Sequence, residues 1–208
     1  MFKFIGFISK KRYWKFHSLI IKSILLFYGI KIGRNFYIEG TPHLKINGSY
    51  HNIIIGDNVS ILGDVDLRNR ENGRIYFHNN VTIEKECRFV SAREGLIEIG
   101  EGSIVTAFCI LNGGSDIIIG RNCIIGPRSS INANEHKFAR HIPVRKQGFI
   151  HAPVRIEDDC WLATNVVINK GVCLRKGSII ASNSVVTKDT EEYSINGGIP
   201  AKKIGERI

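Results

Sequence analysis

Cut into sixes, the stretch from Ile117 to Asp189 reads IIIGRN, CIIGPR, SSINAN and, after an interruption, VRIEDD, CWLATN, VVINKG, VCLRKG, SIIASN, SVVTKD. The third place of every six is a large apolar residue: Ile119, Ile125, Ile131, Ile156, Leu162, Ile168, Leu174, Ile180 and Val186. The first place is small or β-branched, and the fourth is often glycine or polar. A period of six fits neither a helix face nor a single strand, which repeats every two residues. It fits a solenoid in which each side is one short strand plus a corner. The same pattern reaches back to Ile30 and sorts into coils of eighteen residues at 30–47, 53–70, 75–92, 97–114, 117–134, 154–171 and 172–189. The residues left over (48–52, 71–74, 93–96, 115–116 and the long 135–153) all follow a third hexad, so all emerge at one corner of a triangular prism. At a strand spacing of about 4.8 Å, seven coils make a prism about 34 Å long around a column of aliphatic side chains.

A chain of 208 residues is one domain, or one domain with a small appendage. Its 43% hydrophobic and 23% charged residues are ordinary for a soluble chain, and its 21 glycines and many isoleucines favour β structure with frequent corners. The formal charge of +10 is uneven, with Lys3, Lys10, Lys11, Arg12, Lys15, Lys22, Lys31 and Arg34 crowded at the start. An anionic membrane, a phosphorylated small molecule or nucleic acid would all suit such a charge. No nucleic-acid motif accompanies it, which sets nucleic acid last. Among five cysteines no pair has CxxC spacing. Cys87, Cys109, Cys123 and Cys160 take the small first place of a hexad and read as core fillers, while Cys173 takes an outward second place. An odd count without metal spacing suits a reducing cytoplasm.

The chain divides into residues 1–29, the repeats 30–189 with their loop 135–153, and a tail 190–208. In the first segment the apolar run Leu19 to Tyr28 is interrupted by Lys22. It is far short of the roughly 20 residues that span a bilayer. No small-residue cleavage site follows it. Two compatible readings stand: an amphipathic helix capping the first coil, or a basic helix lying on a membrane surface. The tail 190–208 is positioned to cover the other open coil edge.

Two further pieces carry a resemblance. One is His136 followed, after the insertion, by Val154-x-Ile156-x-Asp158-x-x-Trp161; the other is Ser184 to Asp189 with Gly198-x-Pro200-Ala201-Lys202. With the hexads, over residues 30 to 203, the sequence resembles the hexapeptide-repeat acyltransferases. From Ile117 onwards it is similar to the maltose, galactoside and nodulation sugar O-acetyltransferases. That resemblance implies an all-β, left-handed parallel β-helix, although parallel crossovers in general are right-handed; the end segments read above add an N-terminal helical segment and a short C-terminal cap. It also implies a homotrimer with sites between subunits, acetyl-CoA as acyl donor and no metal.

Acetyl transfer from a thioester to an alcohol needs a base for the hydroxyl proton, alignment of both substrates, and a donor for the developing oxyanion. An imidazole suits the first role at neutral pH. His136 opens the long loop, where the resembling enzymes keep their general base; Glu135 either orients its ring or is simply solvated. His141 and His151 share the loop without the motif position. Stacking of third hexads puts Asn112 and Asn132 on neighbouring coils roughly 5 Å apart, with Asn134 two residues before His136. These amides either hold sugar hydroxyls or are ordinary corner residues, with Asn112 and Asn134 the candidates for acceptor binding. Trp161, in an outward second place, reads as a stacking wall for a sugar or for the pantetheine arm. Arg145, Lys146 and Arg155 either meet an anionic acceptor or, the plainer reading, are surface charge. By motif position the resemblance gives Thr164, Ser182 and Thr187 to coenzyme A, with Lys188 and Lys202 near its phosphates and Lys203 and Arg207 as further candidates. Ala163-Thr164, Ser182-Asn183 and Gly205 depart from the family's usual residues and put individual donor contacts in doubt.

The expected activity is acetyl-CoA-dependent O-acetylation of a saccharide or glycolipid-linked acceptor in surface polysaccharide or O-antigen synthesis. The expected location is the cytoplasm, with peripheral contact at the inner membrane face through residues 1–29. N-acetylation of an aminosugar nucleotide is a close variant. Two other classes share the architecture. One is the β-helical zinc carbonic anhydrases, for which no histidine lies between His78 and His136 to supply a third ligand. The other is a solenoid used only as a binding platform.

Overall fold

The computed structural model of the chain describes the backbone of residues 2–208 and the side chains from Arg12 onward. It is a left-handed parallel β-helix of about seven coils with one N-terminal helix, α1 (Phe2–Phe27). Three parallel sheets form the sides of the prism. The first runs from Lys31–Ile32 to Cys173–Leu174, the second from Tyr37–Glu39 through Ile179–Ile180 and beyond, and the third from Pro42–Ile46 to Val185–Val186.

Register explains why the third place of each hexad is apolar. On the first side Ile32, Ile55, Phe77, Ile99, Ile119, Ile156 and Leu174 are successive partners, so one apolar side chain lies directly on the next. Equivalent columns run from Ile38 to Ile180 and from Leu44 to Val186. These side chains are buried throughout except in the first coil, where Ile32 and Leu44 are half-buried because no coil lies beneath them. Each fully buried Ile, Leu or Phe contributes about 1.5–3 kcal/mol relative to exposure, and this column holds the prism together. Cys87, Cys109, Cys123 and Cys160 fill its corners, fully buried, and Cys173 is half-buried on the first side. The buried first-place residues Ser103, Ser129 and Ser178 send their hydroxyls to backbone carbonyls, as Ser103 does to Gly120 at 2.8 Å.

The two ends are closed differently. At the start, a Schellman turn ends α1: Gly29 N–H donates to Leu26 O and Ile30 N–H to Leu25 O, with Gly29 at φ +98°. That turn lays the helix across the first coil. Tyr37–Glu39 has a partner strand on one edge only, and α1 supplies the missing partners on the other. The buried Ser18 hydroxyl accepts from Ile38 N–H at 2.8 Å and lies 3.1 Å from Ile38 O. His17 Nε2 meets Gly40 O at 2.7 Å, Lys22 donates to Gly33 O, and Leu25 plugs the core. A Ser18→Ala chain is expected to lose about 1–3 kcal/mol of stability, because a buried backbone donor and acceptor are left unmet. Urea unfolding of the two chains checks this.

At the other end Ser194–Gly198 adds an eighth rung to the second side, and Ala201–Glu206 folds back against it antiparallel through a cis Ile199–Pro200 bond. Asn196 stands over Ile180 in that rung's inward place, donating to Ser194 Oγ at 2.8 Å. A polar residue fits there because no further coil covers it.

The long insertion does not disturb the stack. Val154 returns to pair with Ile117 as if residues 135–153 were absent.

Candidate active site

Residues 134–151 leave the third side as an antiparallel hairpin. Asn134, Glu135 and His136 pair with His151, Ile150 and Phe149 respectively. Successive residues of a strand point to opposite faces. Asn134, His136, Phe149 and His151 therefore share one face of the hairpin, and Glu135 and Ile150 the other. The exposed His136 ring lies against Phe149, with centroids 4.2 Å apart and planes inclined at 35°. Glu135 points away from it and forms an ion pair with Lys170 of the sixth coil at 2.8 Å. Glu135, read above as either orienting the imidazole or solvated, lies on the face opposite the ring and fastens the hairpin to the scaffold. Beyond the strands, Gln147 organises the tip, its amide accepting from Ala139 N–H and donating to Ala139 O and Ile142 O. Gly148 at φ +77° makes the turn back. His141, Arg145 and Lys146 are exposed on that tip.

The amides gather under the hairpin as stacking requires. Asn112 and Asn132 are register partners on adjacent coils, and Asn112 Nδ2 lies 3.5 Å from Asn134 Oδ1. His151 closes this cluster from the far strand. Its ring presses so tightly on Gly114 that a Cβ there would lie 2.5 Å from Nδ1, and that buried nitrogen has no hydrogen-bond partner among the described residues. Burial first, and the charge of Arg93 second, push the His151 imidazole below its ordinary value. As pH falls, the unfolded chain takes up this proton before the folded chain does, so His151 contributes stability above about pH 6.5 that is lost below it. Thermal unfolding followed from pH 7.5 to 5 is expected to show a steeper loss in the wild type than in a His151→Gln chain. Parallel curves would mean that His151 carries no linkage.

The remaining candidates fall into separate places. Trp161 is 47% exposed at the middle of the second side, between Ile124 and Ile179 on neighbouring coils, not at the corner that bears His136. Thr164 and Ser182 lie exposed, one above the other, at the corner between the second and third sides. There Asn165 donates to Asn183 at 2.8 Å, both at φ +59°. Thr187 is exposed at the opposite edge of the third side, and the adjacent Lys188 lines a cleft with Lys202, Lys203 and Asn196. Lys188 and Lys202 are thereby brought together. Lys203 is held by Glu191 and Glu206, and Arg207 by Asp159 at 2.9 Å, so these two cations are already neutralised within the chain. Phe149, Gln147 and Lys170 escaped the sequence reading. The one signal for them was the F-I-H triplet facing N-E-H across the loop, too short to announce a hairpin. Among the described residues no three His, Cys, Asp or Glu side chains converge to hold a metal ion.

A family profile described as hexapeptide repeat of succinyl-transferase matches residues 153–188. The dTDP-4-amino-4,6-dideoxy-D-glucose acyltransferase of Escherichia coli is 30% identical over 159 residues, covering 74% of this chain and 81% of that enzyme. The chain belongs to the hexapeptide-repeat acyltransferases. This family member is also 33% identical over 91 residues to galactoside O-acetyltransferase of Escherichia coli K12, covering 43% of the chain and 44% of that enzyme. The chain spans about half the length, or less, of several curated relatives that it matches. In fold it is similar to AntD, an N-acyltransferase from Bacillus cereus solved with dTDP-4-amino-4,6-dideoxyglucose and coenzyme A. That likeness has a TM-score of 0.66 at 21% identity over 90% of this chain and 89% of that one.

Proposed function

We propose that this acyltransferase moves an acetyl group from acetyl-CoA to a saccharide hydroxyl, with His136 as the general base. The observation that carries the reading is the hairpin 134–151, which puts the exposed His136 on the same face as Asn134, whose amide lies 3.5 Å from that of Asn112. A neutral imidazole there takes the hydroxyl proton as the sugar oxygen attacks the thioester carbonyl. The tetrahedral intermediate then collapses, the C–S bond breaks, and the imidazolium returns its proton to the departing thiolate. Asn112 and Asn134 hold neighbouring sugar hydroxyls, and their neutral amides both donate and accept.

Coenzyme A is the donor supported by family membership and by its presence with AntD. On this reading Thr164, Ser182 and Thr187 line its path, and Lys188 and Lys202 meet its phosphates with their side chains free for an anion. Trp161 and His136 stand on different parts of one prism, so a wall at Trp161 serves this site only from a neighbouring copy. A cyclic trimer supplies that neighbour. Acetyl-CoA is a cytoplasmic metabolite, which favours the cytoplasm as the location.

A second reading is N-acylation of an aminosugar nucleotide. It is favoured by the relative with 81% of its length aligned, whose name gives such a substrate. Release of coenzyme A thiol from acetyl-CoA, measured with a panel of free sugars, oligosaccharides and aminosugar nucleotides, separates the two. Turnover with hydroxyl acceptors and an alkali-labile ester product supports the first; an alkali-stable amide from an aminosugar nucleotide replaces it with the second. A chain that binds no coenzyme A would sink both.

A further inference from the structure

Helix α1 has two working faces, and the cap on the first coil uses only one. Trp14, Ser18, Ile21 and Leu25 follow one another at three- and four-residue steps along the face turned to the prism, where Ser18 and Leu25 are buried. Phe16, Ile20 and Phe27 fall within about 40° of one another on the opposite side at 3.6 residues per turn. They are 66%, 44% and 85% exposed, and Leu19 and Ile24 border them, also exposed. A soluble helix ordinarily turns polar residues outward, so a second apolar face requires an occupant.

The charge around that face says which. Eight Lys and Arg residues precede Glu39, which is the first acidic residue of the chain. Of these, Lys22 is committed to Gly33 O and Arg34 to Asp57, while Arg12 is exposed on the flank of the apolar face and Lys15 is exposed beyond Leu19. A second copy of α1 would bring the same positive charges and no carboxylate, so like would meet like. An anionic lipid surface satisfies both features: apolar side chains enter the acyl boundary, and the cations meet phosphate headgroups. No described helix is long and apolar enough to cross a membrane.

We infer that the outer face of α1 docks the protein on an anionic membrane, with the helix in the plane of the interface and its inner face still capping the prism. Docking is independent of the acetyl-transfer reading and adds to it. The hairpin 134–151 leaves the fifth coil, four rungs from the first, so His136 would stand about 19 Å along the stack from the coil that α1 covers. That separation selects acceptors that extend away from the bilayer, such as a lipid-linked oligosaccharide.

The test is sedimentation of the full chain with vesicles of phosphatidylcholine, with and without a third of phosphatidylglycerol, at low and high salt. Binding to the anionic vesicles is expected to exceed binding to neutral ones about tenfold and to weaken in high salt. A Phe16→Ser/Ile20→Ser/Phe27→Ser chain is expected to lose about tenfold of that binding with its circular dichroism unchanged, since these side chains point away from the cap. An Arg12→Gln/Lys15→Gln chain, which leaves Phe16, Ile20 and Phe27 in place, is expected to lose the preference for anionic lipid. Wild-type chain that stays in solution with every vesicle would overturn docking. Equal binding by the serine variant would overturn the assignment to this face. A serine variant that changes mass by light scattering but not vesicle binding would give the face to a second copy.

Discussion

A His136→Ala chain is expected to lose about 10²–10⁴-fold in kcat/KM for acetyl transfer while binding coenzyme A as the wild type does. The magnitude is that of removing one general base. The separation of binding from turnover follows from position, since His136 lies on the hairpin whereas Thr164, Ser182, Lys188 and Lys202 belong to the last coils and the tail. Stability should change little, because the ring is exposed and its aromatic contact, with Phe149, is itself at the surface of the hairpin. His136→Ala therefore needs two measurements, steady-state turnover and calorimetric titration with coenzyme A. Full activity in the variant would move the base elsewhere, and His151 would be the next residue to replace. Loss of coenzyme A binding would instead make His136 part of the donor site.

Phe89→Ala should have the largest effect on folding. Phe89 is fully buried in the third-side column between Leu67 and Leu111, and it meets Phe77 of its own coil edge-on with centroids 5.0 Å apart at 62°. Truncation is expected to cost about 3–5 kcal/mol, since a prism wall built of short strands cannot collapse far into the void. The matching change at Leu44, half-buried in the first coil, should cost much less. Because each coil touches only its neighbours, amide exchange in the Phe89 variant should rise first in the second to fourth coils and least near Val186. A loss under about 1 kcal/mol would mean that the interior re-packs freely, contrary to the column described above.

The third place of each hexad made the sides, the coils and the inward columns legible without coordinates, because stacking in register leaves that position nowhere else to go. The same logic foretold the Asn112–Asn132 alignment and the buried first-place cysteines. It failed where periodicity ends. Asn196 is polar in an inward place, so the eighth rung is invisible to a search for apolar thirds. Glu135 was open because its direction depends on a hairpin of three residues a side, and its partner Lys170 lies thirty-five positions on, in another coil. Trp161 read correctly as outward, yet outwardness alone did not say that its side of the prism differs from the corner bearing His136.

The clasp at the foot of the hairpin has an evolutionary consequence. Ala152 N–H donates to Ala133 O at 3.1 Å and Val154 N–H to Asp116 O at 2.9 Å, so the chain departs and re-enters through one closed gate. Beyond the Glu135–Lys170 pair, residues 137–148 supply none of the register pairs that stack the fifth coil on the sixth. Doubling such an excursion costs only about 0.6 kcal/mol in closure entropy. Selection for a new acceptor can thus lengthen, shorten or rewrite residues 137–148 while the prism beneath goes on folding as before, and a hairpin grafted from a relative with another substrate is the change this scaffold should tolerate best.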